Sequence, residues 1–198
     1  MSQHILKNIE SYVTGLLKKY QNKKLVFHNL RHTKNVVART KEIAEHYKFN
    51  EEEMLVIIAA AWFHDVGHLF TEPEKHEQMS ADIMRKFMIE QTGNNKLLSQ
   101  IEQCILATKF PTNPKNLLQQ IICDADTYHL GTNNFKHTNE QVYEEEKLIT
   151  GILNKAEFNT DALKMLQFHK YYTEYCKALL NKEKLKNIQK FKKYLLNE

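Results

Sequence analysis

The chain has 198 residues, 42 % of them hydrophobic and 26 % charged, a balance that suits a single folded domain and excludes disorder over most of its length. The net charge of +4 is modest, and five Gly and three Pro are too few for a strand-and-turn protein. Cys104, Cys123 and Cys176 are far apart, odd in number and in no CxxC arrangement, so they read as reduced, buried thiols.

The opening MSQHILKNIESYV lacks a charged region followed by an apolar one, so no signal peptide is expected. HILKNIESYVTGLLKKY reads as a first amphipathic helix, and a second begins near Asn29 or Leu30 and runs through TKNVVARTKEIAEHY. Asn50 is an N-cap followed by three glutamates at the positive end of a helix dipole. The helix it starts is apolar on nearly all sides over MLVIIAAAWF, residues 54–63, which places it at the centre of the fold. That run is too short to span a bilayer, so a soluble, cytoplasmic protein without membrane contact is expected. Pro73 separates it from EKHEQMSADIMRKFMIEQ, which ends at Gly93. NKLLSQIEQCILAT stops before the two prolines of KFPTNP. NLLQQIICDADTYHLG is a helix with Gly131 as its stop, followed by NEQVYEEEKLITGILNK and the long TDALKMLQFHKYYTEYCKALLNK. The basic tail NKEKLKNIQKFKKYLLNE places Leu185, Ile188, Phe191 and Leu195 at helical spacing, as a solvated amphipathic helix does. A basic face attracting nucleic acid or a nucleotide's phosphates is the alternative use of that tail. The expected class is all-α.

His28 and His32 stand four apart in FHNLRHT, as do His64 and His68 in WFHDVGHLF, with Asp65 beside His64. If each pair lies within a helix, each presents two imidazoles on one face. Two imidazoles and a carboxylate suit a borderline or hard divalent ion, and no thiolate set of the zinc-finger kind is present. A further ligand must come from elsewhere, and CDADTYHLG offers Asp124 and Asp126 on an apolar helix, where an unpaired carboxylate is expensive to bury. A lone His in a helical protein is usually a core or surface residue, and His4, His46, His129, His137 and His169 are read that way.

The order His32, His64-Asp65, Asp126 resembles the H…HD…D signature of the HD-domain metal-dependent phosphohydrolase superfamily. The resemblance spans residues 27–131 and implies a helical bundle around a metal site. The whole chain, 1–198, would be one such domain, with a C-terminal helical extension over about 157–198. Its implied metal ligands are His32, His64, Asp65 and Asp126, with Asp124 orienting a ligand from outside. One divalent ion is favoured over two, and His and Asp ligation suits Mn, Fe, Co, Ni, Zn and sometimes Mg.

The implied chemistry is hydrolysis of a phosphoester by metal-activated water, on a nucleotide or a similar small phosphorylated metabolite. His68, one turn beyond His64, is a catalytic candidate, as is Glu72 if the helix continues that far. His28 resembles the general acid of class I cyclic-nucleotide phosphodiesterases. Arg31, Lys34 and Lys109 are phosphate-contact candidates, and His76 is a phosphate contact or a second-metal ligand. The alternatives are a cyclic-nucleotide phosphodiesterase and a non-catalytic nucleotide sensor, with a nucleic-acid binder ranked last and a di-iron oxygenase a weaker resemblance. The Tyr-rich stretch 168–180 reads as core or as a wall stacking on a base. These residues say nothing of oligomeric state.

Overall fold

A computed structural model describes residues 2–151 and 154–196 of the chain. Nine α-helices and three short 3-10 segments occur there, with no strand among the described residues. By packing, the chain divides into two compact units: Met1–Asn22 with His28–Asp126, and Lys23–Phe27 with Thr127–Glu198.

The first unit holds α1 (Ser2–Lys19), α2 (Leu30–Ala44), α3 (Glu51–Phe63), α4 (His76–Thr92), α5 (Asn95–Leu106) and α6 (Leu117–Asp126). α1 buries Ile5, Ile9, Val13 and Leu17, the four-residue spacing that keeps one stripe inward. α3 starts in a capping box: the Asn50 side chain accepts from Glu53 N, and Glu53 returns the bond to Asn50 N, both at 2.9 Å. From Leu55 to Phe63 every residue of α3 is buried, with α1, α2, α5 and α6 packed around it. No face of that helix is left for water, as its uninterrupted apolar run requires.

The end of α3 determines where the histidines go. The helix stops at Phe63, and Val66–Leu69 is a tight 3-10 segment, so His64 and His68 do not share a helix. Likewise α2 begins at Leu30 behind the N-cap Asn29, which leaves His28 outside it. The two same-helix pairs read from the sequence are therefore corrected: in each, one histidine lies beyond a helix end. Gly67 turns the chain against α4, where its N–H donates to Ser80 Oγ at 2.8 Å. A Cβ at position 67 would run into the carbonyl oxygen of His76, so only glycine permits this approach.

The second unit holds α7 (Phe135–Thr150), α8 (Lys155–Phe168) and α9 (Glu174–Leu195). Its apolar centre is Leu130, Phe135, Ala162, Leu166 and Phe191. The early segment is tied in by the Phe27 N–H, which donates to the buried Glu145 carboxylate at 2.7 Å. The long helix expected over 160–182 is interrupted: His169 takes extended backbone, and Thr173 caps α9 by accepting from Cys176 N. The basic tail is the continuation of α9. Its register also differs from the expectation, because α9 buries Cys176, Leu180, Lys184, Asn187 and Phe191 and leaves Leu185 60 % exposed. Specific hydrogen bonds explain the polar positions in that stripe. Lys184 Nζ donates to the His169 carbonyl at the end of α8, and Asn187 Nδ2 donates to the carbonyls of Leu130 and Thr132. Tyr171, from the Tyr-rich stretch, is a core residue whose hydroxyl donates to the carbonyls of Thr127 and Tyr128. All three cysteines are buried thiols outside any disulfide.

Two outcomes are expected. Gly67→Ala should cost about 2–3 kcal/mol through forced displacement of α4, lowering the thermal midpoint by about 5–10 °C. Burial pulls the Lys184 ammonium down to about 8 from 10.5. An unfolded chain therefore holds the proton longer, and Lys184 makes stability rise with pH between those values. Melting curves of wild type and Lys184→Met across that window should converge at the alkaline end. Parallel curves would mean that the amine is not titrating there.

Candidate metal centre

Four donors converge where three helix ends of the first unit meet. His32 is placed by the Asn29 cap, whose side chain accepts from Arg31 N and His32 N at the start of α2. His64 and Asp65 leave the end of α3, and Asp126 ends α6. The His32 Nε2 atom is 3.1 Å from Asp65 Oδ2 and 3.2 Å from Asp126 Oδ1. From His64 Nε2 the same oxygens lie at 2.9 and 3.6 Å, and the two imidazole nitrogens are 3.4 Å apart. One donor atom from each residue falls within 4.8 Å of all the others. Such spacings suit atoms lying about 2.1 Å from one shared ion.

Hydrogen positions strengthen this reading. His64 Nδ1 lies 2.9 Å from the Ala61 carbonyl, which can only accept, so Nδ1 carries the proton. In the neutral ring the Nε2 lone pair then faces the carboxylates, acceptor against acceptor. Asp65 Oδ2 is buried and accepts no hydrogen bond of sound geometry. A cation resolves both conflicts, and the backbone carbonyl holding the far side of an imidazole is the usual support for a metal-binding histidine. The His and Asp donors fit a borderline divalent ion.

Without an ion, protons take its place. Burial pulls His32 down, but its close contacts with the Asp126 and Asp65 carboxylates outweigh it and hold the imidazole at about 9. Burial likewise opposes the charged form of His64, and the Asp65 charge raises that imidazole well above its usual range. Both carboxylates are resisted by burial yet held below their usual range, Asp65 chiefly by His64 and Asp126 chiefly by His32. Three of the four side chains are nearly closed off from solvent, while Asp126 keeps 24 % exposure and marks the open side.

Around Asp65 stands a second group of imidazoles. His68 stacks on His76 at 3.8 Å and on His28 at 4.3 Å between ring centroids. Burial, then the nearby His28 charge, pushes His68 down to about 2. His76 Nε2 lies 3.6 Å from Asp65 Oδ1.

Other candidates sit elsewhere. Glu72 precedes the 3-10 segment Pro73–Lys75 and is exposed, because the helix it was read onto ends at Phe63. Arg31 and Lys34 are exposed on α2, and Lys109 is exposed with its Nζ donating to the Glu74 carbonyl at 3.2 Å. Asp124 is fully buried within α6. The sequence reading missed Glu77, a carboxylate buried in the first turn of α4, 3.6 Å from His76 Nδ1. Its place after Pro73 marks a helix start, but nothing in the pattern signals its burial. His4, His46 and His137 are exposed, and His169 is buried with Nε2 3.0 Å from Thr127 Oγ1.

A protonated His32 with a folded value of about 9 against 6.5 unfolded adds stability below 6.5 that disappears as pH rises through 9. The ion-loaded protein has no such loss, since its donor nitrogens carry no proton. The gap in thermal midpoint between Mn-loaded and chelator-stripped protein should therefore widen over that interval. A constant gap would exclude proton–metal competition at these donors.

Comparison with known proteins supplies the context for this geometry. The sequence model described as HD domain matches residues 29–131. A crystal structure of a protein from Lactobacillus plantarum superposes with a TM-score of 0.66, at 17 % identity, covering 98 % of this chain and 97 % of that one. At that identity the likeness speaks for the fold alone. No curated protein matches the sequence.

Proposed function

Since the chain belongs to the HD-domain family, we propose that it is a metal-dependent phosphohydrolase acting on a small phosphoester, best read as a nucleotide. The observation that carries this reading is the convergence of His32, His64, Asp65 and Asp126 on one point, with the buried Asp65 Oδ2 lacking a hydrogen-bond donor. In this reading His32, His64, Asp65 and Asp126 hold one divalent ion. When bound, that ion supplies positive charge for the phosphoryl oxygens and makes a water more acidic.

The protein's own groups do the rest. His64 is held in one tautomer by Ala61, so its Nε2 stays available. The partly open Asp126 leaves a side by which a phosphate reaches the cluster. His28, beside His32 at 5.7 Å between ring centroids, is the candidate to protonate the leaving oxygen. His68 is assigned an accepting role, since burial disfavours its charged form. Arg31, Lys34 and Lys109 remain candidates for attracting the phosphates from the exposed surface, and Glu72 is given no part. No helix among the described residues is long and apolar enough to cross a membrane.

The experiment is turnover of a nucleotide panel by stripped protein reloaded separately with Mn, Co, Ni, Mg and Zn. Asp65→Ala and His64→Ala should lose the ion and drop turnover to background together. Full activity in Asp65→Ala without stoichiometric ion would refute the reading. A monophosphate formed from a cyclic nucleotide would narrow it to a phosphodiesterase. An ion-loaded protein that binds nucleotides and turns over none would make it a sensor.

A further inference from the structure

The second unit holds a cavity of about 330 Å³ between the start of α7 and the last turns of α9. That volume is at the lower end of small-molecule sites, which run from about 300 to 1,000 Å³. Its floor is aromatic. Phe135 and Phe191 are buried and meet edge to face at 5.4 Å between ring centroids. The Tyr194 ring lies nearly parallel to Phe191, at 12° and 6.2 Å. Walls of this kind accept a flat ring with little loss of contact.

One polar side chain in the wall has a fixed orientation. Asn187 is 5 % exposed, and its Nδ2 donates to the carbonyls of Leu130 and Thr132. Carbonyls only accept, so the amide cannot be flipped and both of its hydrogens are spent. What Asn187 can offer a ligand is the carbonyl Oδ1, which selects a ring bearing an N–H or O–H donor.

Charge at the rim is unbalanced. Glu140 is paired with Lys155 at 3.0 Å. Lys190 Nζ stands 3.7 Å from Glu183, but that carboxylate is already held by Lys186 at 2.7 Å. Lys136 has no carboxylate partner among the described residues, and its Nζ lies over the Tyr194 ring, 5.4 Å from the centroid. Counting each lining charge with its partners, four lysines face two glutamates, which leaves an excess of positive charge that attracts an anion.

We infer that this cavity is a ligand site of the second unit, and that its ligand is a planar aromatic anion. The ring rests on Phe135 and Phe191 and donates to Asn187 Oδ1, and a phosphate or carboxylate stays at the mouth, where Lys136 and Lys190 are exposed. A cavity of this size takes one ring system with a short substituent, such as a nucleoside monophosphate or an aminobenzoate. The inference stands apart from the proposed function, because none of these residues belongs to the ion cluster.

The test follows amide shifts of the isotope-labelled full chain during titration with uridine 5′-monophosphate, with 4-aminobenzoate, and with benzamidine as a planar cation. Saturable shifts within 133–140 and 187–194 are expected from at least one anion and not from benzamidine. The anion that saturates at lower concentration tells a nucleotide from an aromatic acid. A variant carrying Lys136→Glu and Lys190→Glu should keep its thermal midpoint and bind about tenfold more weakly. No saturable shift in these segments, an equal response to benzamidine, or an affinity unmoved by the two charge reversals would each overturn the assignment. Shifts confined to the residues around His32 and Asp65 would overturn it too, and would leave the proposed function standing.

Discussion

The first unit is organised around a carboxylate that has no business in its surroundings unless something positive joins it. Asp65 follows a helix buried on every side from Leu55 to Phe63, and it is itself 6 % exposed. Removing a carboxylate from water costs several kcal/mol even after the protein relaxes. The fold could have offset this with backbone N–H donors. Instead it offers imidazole nitrogens, and at His64 and His76 the one N–H that would help is tied to a carbonyl on the far side of the ring. Proton or metal must complete the site, which couples the stability of the unit to whatever cation is present.

Helix ends supply the precision. Asn29 at the start of α2, the end of α3 and the end of α6 each deliver a donor from a position where the chain changes direction. Ends are useful because side chains there are not confined to one helix face, yet their backbones are anchored by several turns of packed helix. Gly67 and Ser80 then lock the turn after α3 against the start of α4, bringing His76 to Asp65. The catalytic candidates therefore depend on close backbone contact more than on any single side-chain pair.

How much of this was legible follows from the same facts. The helices of the first unit were readable because caps and periodicity act over a few residues, as with Asn50 and Glu53 at α3. The four cluster residues were readable as a family resemblance and as polar residues at the end of an apolar run. The helix ends at Leu30 and Phe63 were not, so His28 and His68 reach the cluster from outside the helices they were read onto, and Glu72 lies beyond the end of α3. The break between α8 and α9 escaped because helical spacing persists through His169–Thr173 while the backbone does not. Leu185 was grouped with the apolar positions of the tail because periodicity counts apolar residues. In α9 the inward positions include Lys184 and Asn187, whose hydrogen bonds reach carbonyls distant in sequence. Long-range partners of that kind leave no local pattern.

In the second unit most of the buried polar groups are matched within the fold. Its buried polar groups include donors matched to acceptors: Lys184 to the His169 carbonyl, Asn187 to two carbonyls, Tyr171 to two more, and the Phe27 N–H to Glu145. Folding alone satisfies those pairs, as buried polar groups generally require. In the first unit, the titratable side chains with an unsatisfied buried atom among the described residues are Asp65, His68 and Glu77. All three fall between positions 65 and 77, around the turn that Gly67 makes possible. Single buried atoms of the neutral side chains Thr40, Gln100 and Asn159 are also unsatisfied. Carboxylate and imidazole atoms left wanting in one short stretch, within a unit whose apolar interior is closely filled, speak of a place kept for a positively charged ligand.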